Sequence, residues 1–229
     1  MLRRSMLGRF MPSAVSALWR VRLVMMLVPV LLSTGVCADP STMIHAIVQM
    51  SGTDIPTDSF FAKPKVFWRA SNQYCRVDEE PYPEKGLHGR LVISEPDAWL
   101  INLADNTAKH EVDPRPKLTC RLPVFSMDEA TAKGKIGELE IGHEHDFFQT
   151  HGATLVDGPK LLFKANYYEL ELGDAVLRLV ERADNHAPVL IRLLRGVRED
   201  KARYVLWEEL PFKADLFAKP TGVTIEEVK

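Results

Sequence analysis

The sequence lacks the features that several common classes of protein need. In its 229 residues there is no run of about 20 apolar residues, the length that a membrane-spanning helix requires. It contains no glycine-rich phosphate loop, no Gly-x-Ser-x-Gly motif and no Ser-x-x-Lys motif. These absences argue against a bundle of membrane helices, a nucleotide-binding enzyme and a serine hydrolase. We therefore expect a protein that is not an enzyme, although a pair of carboxylates for glycoside hydrolysis stays open as an alternative.

Negative charge is missing from the first 38 residues, which carry five arginines and no acidic side chain. Of the 29 basic and 31 acidic side chains, residues 39–229 therefore keep 24 and 31, a net charge of −7. A protein that binds the phosphate backbone of nucleic acids needs a basic surface. The charge balance predicts that nucleic acid is not a partner.

Residues 1–38 have the order of segments that is typical of a secretory signal peptide. The arginine-containing region comes first, a ten-residue run over 23–32 is apolar apart from Pro29, and small residues end at Ala38. The run is too short for a membrane helix. We expect cleavage after Ala38 and a single periplasmic domain over residues 39–229, without stable insertion in a membrane.

Two alternatives remain open in the N-terminal segment. Cys37 is compatible with a lipoprotein signal, in which the cysteine becomes the acylated first residue of the mature protein. Val36 and Thr34 depart from the small residue and the leucine that such signals carry before the cysteine. Met6 and Met11 offer alternative starts of translation.

Cys75 and Cys120 are the two cysteines that remain after cleavage. An even number of cysteines in an exported protein favours a disulfide. Closing this loop would stabilise the fold by roughly 4 kcal/mol in the chain-entropy model. Two free buried thiols are the alternative. Neither cysteine has histidines at the spacing of a zinc site, so this pair does not predict a metal.

Short strands separated by turn residues dominate residues 39–229. Turn signals recur about every 8–12 residues, as at Ser71-Asn72 and Gly173-Asp174, which is typical of antiparallel β architecture. The strands predicted over 175–180 and 189–194 are apolar on both faces. In an antiparallel sheet with one solvated face, apolar and polar residues alternate along each strand. These strands do not alternate in this way, so a helix or a bound apolar ligand must cover the second face.

Two segments are unsuited to central strands. The segment 143–151 is followed by Gly152, which predicts a short helix with a glycine C-cap. Residues 211–220 combine aromatic residues with prolines, and we expect them to lie across the edge or mouth of the sheet. We predict that both segments close a hydrophobic cavity, with the lining candidates Phe147, Phe148, Trp99, Arg178, Arg192, Phe212 and Phe217.

Arg178 and Arg192 interrupt apolar strand patterns and have two interpretations. Either an arginine anchors the headgroup of a ligand, or its stem covers apolar surface while the guanidinium reaches water. The segment His143-Glu144-His145-Asp146 is the densest group of possible metal ligands. On a helix, however, a spacing of two points the histidines apart. We therefore predict no metal and no cofactor.

The early hairpins carry a family resemblance. Val66-Phe67-Trp68-Arg69 turns into Tyr74-Cys75-Arg76-Val77, and Leu91-Val92-Ile93 passes through Glu95-Pro96-Asp97 to Ala98-Trp99-Leu100-Ile101-Asn102. This order resembles the periplasmic lipoprotein carriers, the LolA/LolB-like half-barrels. The resemblance implies a mainly β (α+β) fold, a strongly curved antiparallel open half-barrel with one or two short helices on its concave side. It also implies transport of a lipid or a lipidated protein. A non-catalytic envelope interaction protein with a filled core is the alternative.

Overall fold

The computed structural model describes residues 40–53, 55–113, 120–121 and 134–228. The predicted signal peptide, its cleavage site after Ala38 and Cys37 lie outside the described residues. The signal peptide and the lipidation alternative therefore stay predictions.

Twelve strands form one sheet within the described residues. Their bounds are β1 Thr42–Gly52, β2 Lys65–Ala70, β3 Tyr74–Glu79, β4 Gly89–Ser94, β5 Asp97–Asn102, β6 Thr107–Val112, β7 Thr154–Leu155, β8 Ala165–Leu172, β9 Ala175–Arg182, β10 Pro188–Arg195, β11 Arg198–Pro211 and β12 Thr224–Glu227. The spatial order is β12-β6-β5-β4-β3-β2-β1-β11-β10-β9-β8-β7. The first and last strands of this order are not paired with each other, so the curved sheet stays open.

The predicted fold class is confirmed with one correction. Every pairing in the sheet is antiparallel except that of β12 with β6, which is parallel, so the sheet is mixed. Neither β12 nor the two-residue β7 was predicted from the sequence. Their side chains form no long alternating pattern, and a strand this short is recognised by its partner rather than by its own residues.

The helix α1, Glu144–Thr150, lies where the sequence predicted it. Gly152 has a left-handed conformation, with φ of +75°. The backbone N–H of Gly152 donates to the carbonyl of Gln149, and that of Ala153 donates to the carbonyl of Phe148. This pair of bonds is the Schellman motif, which satisfies the last carbonyls of a helix and needs a residue that tolerates positive φ.

One face of the sheet packs against α1, and we call it the helix face. Alternate side chains of the central strands enter a single core there, together with Phe147 and Phe148 of the helix. The Cys75–Cys120 disulfide predicted from the sequence lies in this core, with a Cα–Cα distance of 6.0 Å. Strand residues on this face include Ala46, Val48, Met50, Phe67, Leu170, Leu177, Leu179, Ile191, Leu193 and Ala202.

The side chains that alternate with these point to the other side of the sheet, which we call the groove face. The C-terminal segment crosses this face. Its 3-10 helix Ala214–Phe217 buries Phe217 against Met43 and Ala70. The backbone carbonyl of Leu216 accepts a hydrogen bond from Arg76. The helix and the C-terminal segment therefore cover opposite faces, whereas the sequence analysis expected both to close one cavity.

Candidate functional site

An open groove of about 460 Å³ lies on the groove face of β8, β9 and β10. Its floor is formed by outward-facing side chains of these strands, and its roof is the connection between β7 and β8. The volume falls in the range of about 300–1,000 Å³ that is usual for small-molecule sites. The lining residues are Val156, Asp157, Gly158, Pro159, Leu161, Tyr167, Tyr168, Glu169, Arg178, Leu179, Val180, Val189, Leu190 and Arg192.

Strand register explains why these residues meet. Tyr167 pairs with Val180, and Val180 pairs with Leu190, which gives an apolar row across three strands. In the next row, Glu169 pairs with Arg178 and Arg178 with Arg192. Because the register is continuous, an apolar strip runs directly beside a charged strip.

The two arginines of the groove differ in their hydrogen bonds. Arg178 donates from Nε to Oε2 of Glu169 over 2.6 Å, and its terminal nitrogens have no partner among the described residues. Arg192 instead binds Glu199 through both Nε and Nη2, and Lys201 binds the other oxygen of Glu199. Arg178 therefore keeps donors that can bind an anion, while Arg192 is held in an ion-pair network.

The structure separates the seven residues that were predicted to line one cavity. Arg178 and Arg192 line the groove. Phe147 and Phe148 lie in the helix-face core, where Phe148 is completely buried. The remaining three belong to two smaller apolar clusters: Trp99 in one, and Phe212 and Phe217 in the other.

A buried polar network anchors α1 to the sheet. The hydroxyl of Tyr204 donates to Oε1 of Glu144 over 2.5 Å, and the backbone N–H of Gly142 donates to Oε2. Burial raises the pKa of Glu144 to about 7, although these hydrogen bonds and the charge of Arg69 act in the opposite direction. Arg69 itself binds Glu140 and the carbonyl of Ile141. The network holds the start of the helix over β11 and β2.

A second polar group forms around His145, the residue that follows Glu144 in α1. Nδ1 of His145 is 2.9 Å from Oε2 of Glu181, and Nδ1 of His186 is 2.7 Å from Oε1. Asn166 donates to the same Oε1 over 3.1 Å. This group could not be predicted from spacing along the sequence, because its members come from the helix, β8, β9 and the turn after β9.

The other histidines of the helical segment lie elsewhere. His143 is 3.5 Å from Asp146, and Nδ1 of His151 is 2.9 Å from the carbonyl of Phe147. His143 and His145 thus contact different carboxylates, as the helical spacing of two residues predicted.

Within the described residues, no helix is long and apolar enough to cross a membrane.

Comparisons with known proteins find similarity in overall structure only. No protein-family model matches the chain, and no curated protein matches it. An uncharacterised conserved protein from Thermus thermophilus has a TM-score of 0.49 and 14% identity, covering 82% of this chain and 91% of that one. The Pseudomonas aeruginosa MucA/MucB complex has a TM-score of 0.42 and 10% identity, with coverage of 79% and 57%.

A LolA superfamily protein from Nitrosomonas europaea is also among the similar structures. Its TM-score is 0.33 and its identity 12%, covering 79% of this chain and 91% of that one. These are resemblances of fold at low identity, and they assign the chain to no family.

Proposed function

We propose that this protein is a non-catalytic binding protein for an amphipathic ligand, a lipid or a lipidated protein, whose apolar chain lies in the groove over β8–β10. The observation that carries the proposal is the open strip of Tyr167, Val180 and Leu190 beneath an apolar roof. All three side chains are only half-buried. An apolar ligand that covered them would gain about 25 cal/mol per Å² of apolar surface removed from water.

The groove favours an alkyl chain over a peptide. β9 is paired along its length with β8 on one side and β10 on the other, so its backbone hydrogen bonds are used within the sheet. A peptide that lies on this floor would find side chains instead of a free strand edge, and its own N–H and C=O groups would lose water without compensation. An alkyl chain has no such groups.

Arg178 supplies the polar end of the proposed site. Its terminal nitrogens are available beside the apolar strip, and guanidinium donors match carboxylate and phosphate oxygens well. We therefore expect an anionic headgroup. This assigns to Arg178 the anchoring role that the sequence analysis considered, and leaves Arg192 as a structural residue of the groove floor.

The proposed compartment is the periplasm. The signal-like segment of residues 1–38 and the disulfide between Cys75 and Cys120 both support export, because disulfides persist in oxidising compartments. The proposal includes neither an enzymatic activity nor a nucleic-acid partner.

A second candidate function is binding of a protein partner. The groove roof and the strand before it expose several large apolar side chains, and Leu162 is fully exposed. Exposed apolar groups that cluster in one segment are typical of interaction sites. The cluster consists of Leu155, Val156, Leu161 and Leu162.

Binding of an environment-sensitive hydrophobic dye, followed by displacement with anionic lipids, tests the proposed function. We expect stoichiometric dye binding and displacement by a long-chain carboxylate or an anionic phospholipid. Val180→Asp in the floor and Leu161→Asp in the roof should each weaken binding by at least tenfold. Arg178→Gln should weaken binding of the anionic lipid but not of the dye.

Val205→Asp is the matched control, because Val205 is exposed on β11 and does not line the groove. It should leave dye and lipid binding unchanged. If the dye does not bind, or if the control reduces binding as strongly as Leu161→Asp, the groove is not a ligand site. Capture of a partner that Leu162→Asp abolishes, with no lipid bound, would support the second candidate.

A further inference from the structure

The group formed by His145, Glu181 and His186 has the donor atoms of a metal site. The three donor atoms lie within 4.8 Å of one another, and the two imidazole nitrogens approach different oxygens of the same carboxylate. A tetrahedral zinc ion with bonds of about 2.0–2.2 Å has its ligand atoms about 3.3 Å apart. The two N–O distances of 2.9 and 2.7 Å would have to lengthen by about 0.5 Å to reach that geometry.

The charges in this group favour a bound cation. Glu181 is completely buried, while its neighbours are two histidines whose ring centroids are only 4.0 Å apart. A buried carboxylate is tolerated when it is hydrogen-bonded and paired with a cation or bound to a metal ion. One divalent ion at this position would compensate the charge of Glu181 and accept a lone pair from each imidazole.

The surroundings hold the three donors in place. Asn166 donates to Oε1 of Glu181, so the carboxylate has a hydrogen-bond partner that orients it. Tyr168 packs its ring edge against His145. His186 has a φ of 57°, a conformation that is uncommon for a residue other than glycine, and its N–H donates to the carbonyl of Arg182. The turn thereby directs this imidazole towards β9.

We propose that His145, Glu181 and His186 bind one divalent transition-metal ion of the zinc class. Two imidazoles and one carboxylate are ligands that Zn²⁺ accepts, whereas Mg²⁺ and Ca²⁺ prefer oxygen alone. Because His186 and His145 are partly exposed, water can reach the ion and complete its coordination. The ion would connect α1 to β9 and to the following turn, and so fasten the helix to the sheet.

Titration of the chelator-treated protein with Zn²⁺ tests this site. We expect one Zn²⁺ per chain by isothermal titration calorimetry, and a rise in unfolding temperature with added Zn²⁺ because the ion binds the folded state. Co²⁺ in the same site should give the visible absorption of a low-coordinate ion. His145→Gln and His186→Asn should each lower the Zn²⁺ affinity by at least tenfold and remove the rise in unfolding temperature.

His143→Gln is the matched control, since His143 lies just before the same helix but outside the group. It should bind Zn²⁺ as the unaltered protein does. Asparagine tolerates positive φ, so His186→Asn keeps the turn. Unfolding in chelator measures the stability that each variant loses with its hydrogen bond to Glu181, and this loss is subtracted from the effect of Zn²⁺. Absence of stoichiometric binding, or equal affinity after His145→Gln combined with His186→Asn, would overturn the proposal.

Discussion

The two faces of β9 and β10 carry similar apolar residues in different surroundings. On the helix face, Leu177 and Ile191 are completely buried in the core that also contains Phe147 and Phe148 of α1. On the groove face, Val180 and Leu190 are only half-buried, and Arg178 lies beside them. What differs is the cover: α1 packs on one face, whereas among the described residues the connection from β7 to β8 lies over the groove on the other.

This difference shows that an apolar strand face does not by itself indicate a core or a ligand site. A covered face reaches the close packing of a protein interior, where each lost methylene is costly. A face with an incomplete cover keeps apolar surface that a ligand can bury later. The two faces should therefore respond differently to substitution.

Removal of the disulfide should have a large effect on stability, and it acts on the helix face. Cys75→Ala combined with Cys120→Ala should lower the free energy of unfolding by about 4 kcal/mol. Chemical denaturation of the oxidised protein, the reduced protein and the double variant provides the measurement. Equal stability of the oxidised and reduced proteins would mean that the bond adds nothing to this core.

A matched pair of leucines compares the two faces directly. Leu177→Ala should cost about 2–5 kcal/mol, because it leaves a cavity in packed surroundings. Leu190→Ala should cost about 1 kcal/mol, because the side chain is half-exposed and the groove is already open. Denaturation curves measure both changes, and the dye should lose affinity only for Leu190→Ala. Similar costs for the two variants would remove the distinction between the faces.

The smallest expected effect is a change with pH in the stability of the pairing between β12 and β6. Hydrogen bonds with Asp97 and then Glu227, at 2.7 and 2.6 Å, raise the pKa of His110 above its ordinary value. A histidine with a raised pKa contributes its full stabilisation at pH values below the unfolded-state pKa of about 6.5. This contribution disappears as the pH rises through the folded-state pKa. The protection of residues 224–227 against hydrogen exchange, measured relative to the intrinsic exchange rate at each pH, should therefore fall as the pH rises through the folded-state pKa of His110.

His110→Gln should remove most of that pH dependence. His88→Gln, at the residue before β4, is the control and should retain it. An unchanged pH profile in His110→Gln would show that this histidine does not control the attachment of β12.

Much of the fold could be predicted from local sequence. Turn residues such as Ser71-Asn72 and Gly173-Asp174 separate hairpin strands, and the structure places the strand pairs on either side of them. The helix end at Gly152 was also predictable, because a left-handed C-cap needs a residue without a β-carbon. The Cys75–Cys120 bond was the favoured interpretation, because two cysteines remain after residue 38 and an even number in an exported protein favours a disulfide.

The candidate sites were much less predictable. The sequence pointed to Arg178 and Arg192, and they do line the groove, but it grouped them with Phe147 and Phe148 from the opposite face. A two-residue period shows that a strand has two faces without showing which one a helix covers. His186 gave no signal at all, because it lies 41 positions after His145.

The sequence by itself indicated the longer strands, their turns and the helix with its glycine cap, since each depends on neighbouring residues, and it favoured a bond between Cys75 and Cys120. Tertiary structure alone decided that α1 and the C-terminal segment cover opposite faces, that β12 adds to β6 in parallel, and that Glu181 meets two histidines. The physical reason is that local conformation follows from backbone and side-chain preferences within a few residues. Three other features depend instead on which surfaces the whole chain can bury together. These are the segment that covers each face of the sheet, the register between distant strands, and the meeting of polar side chains from different elements.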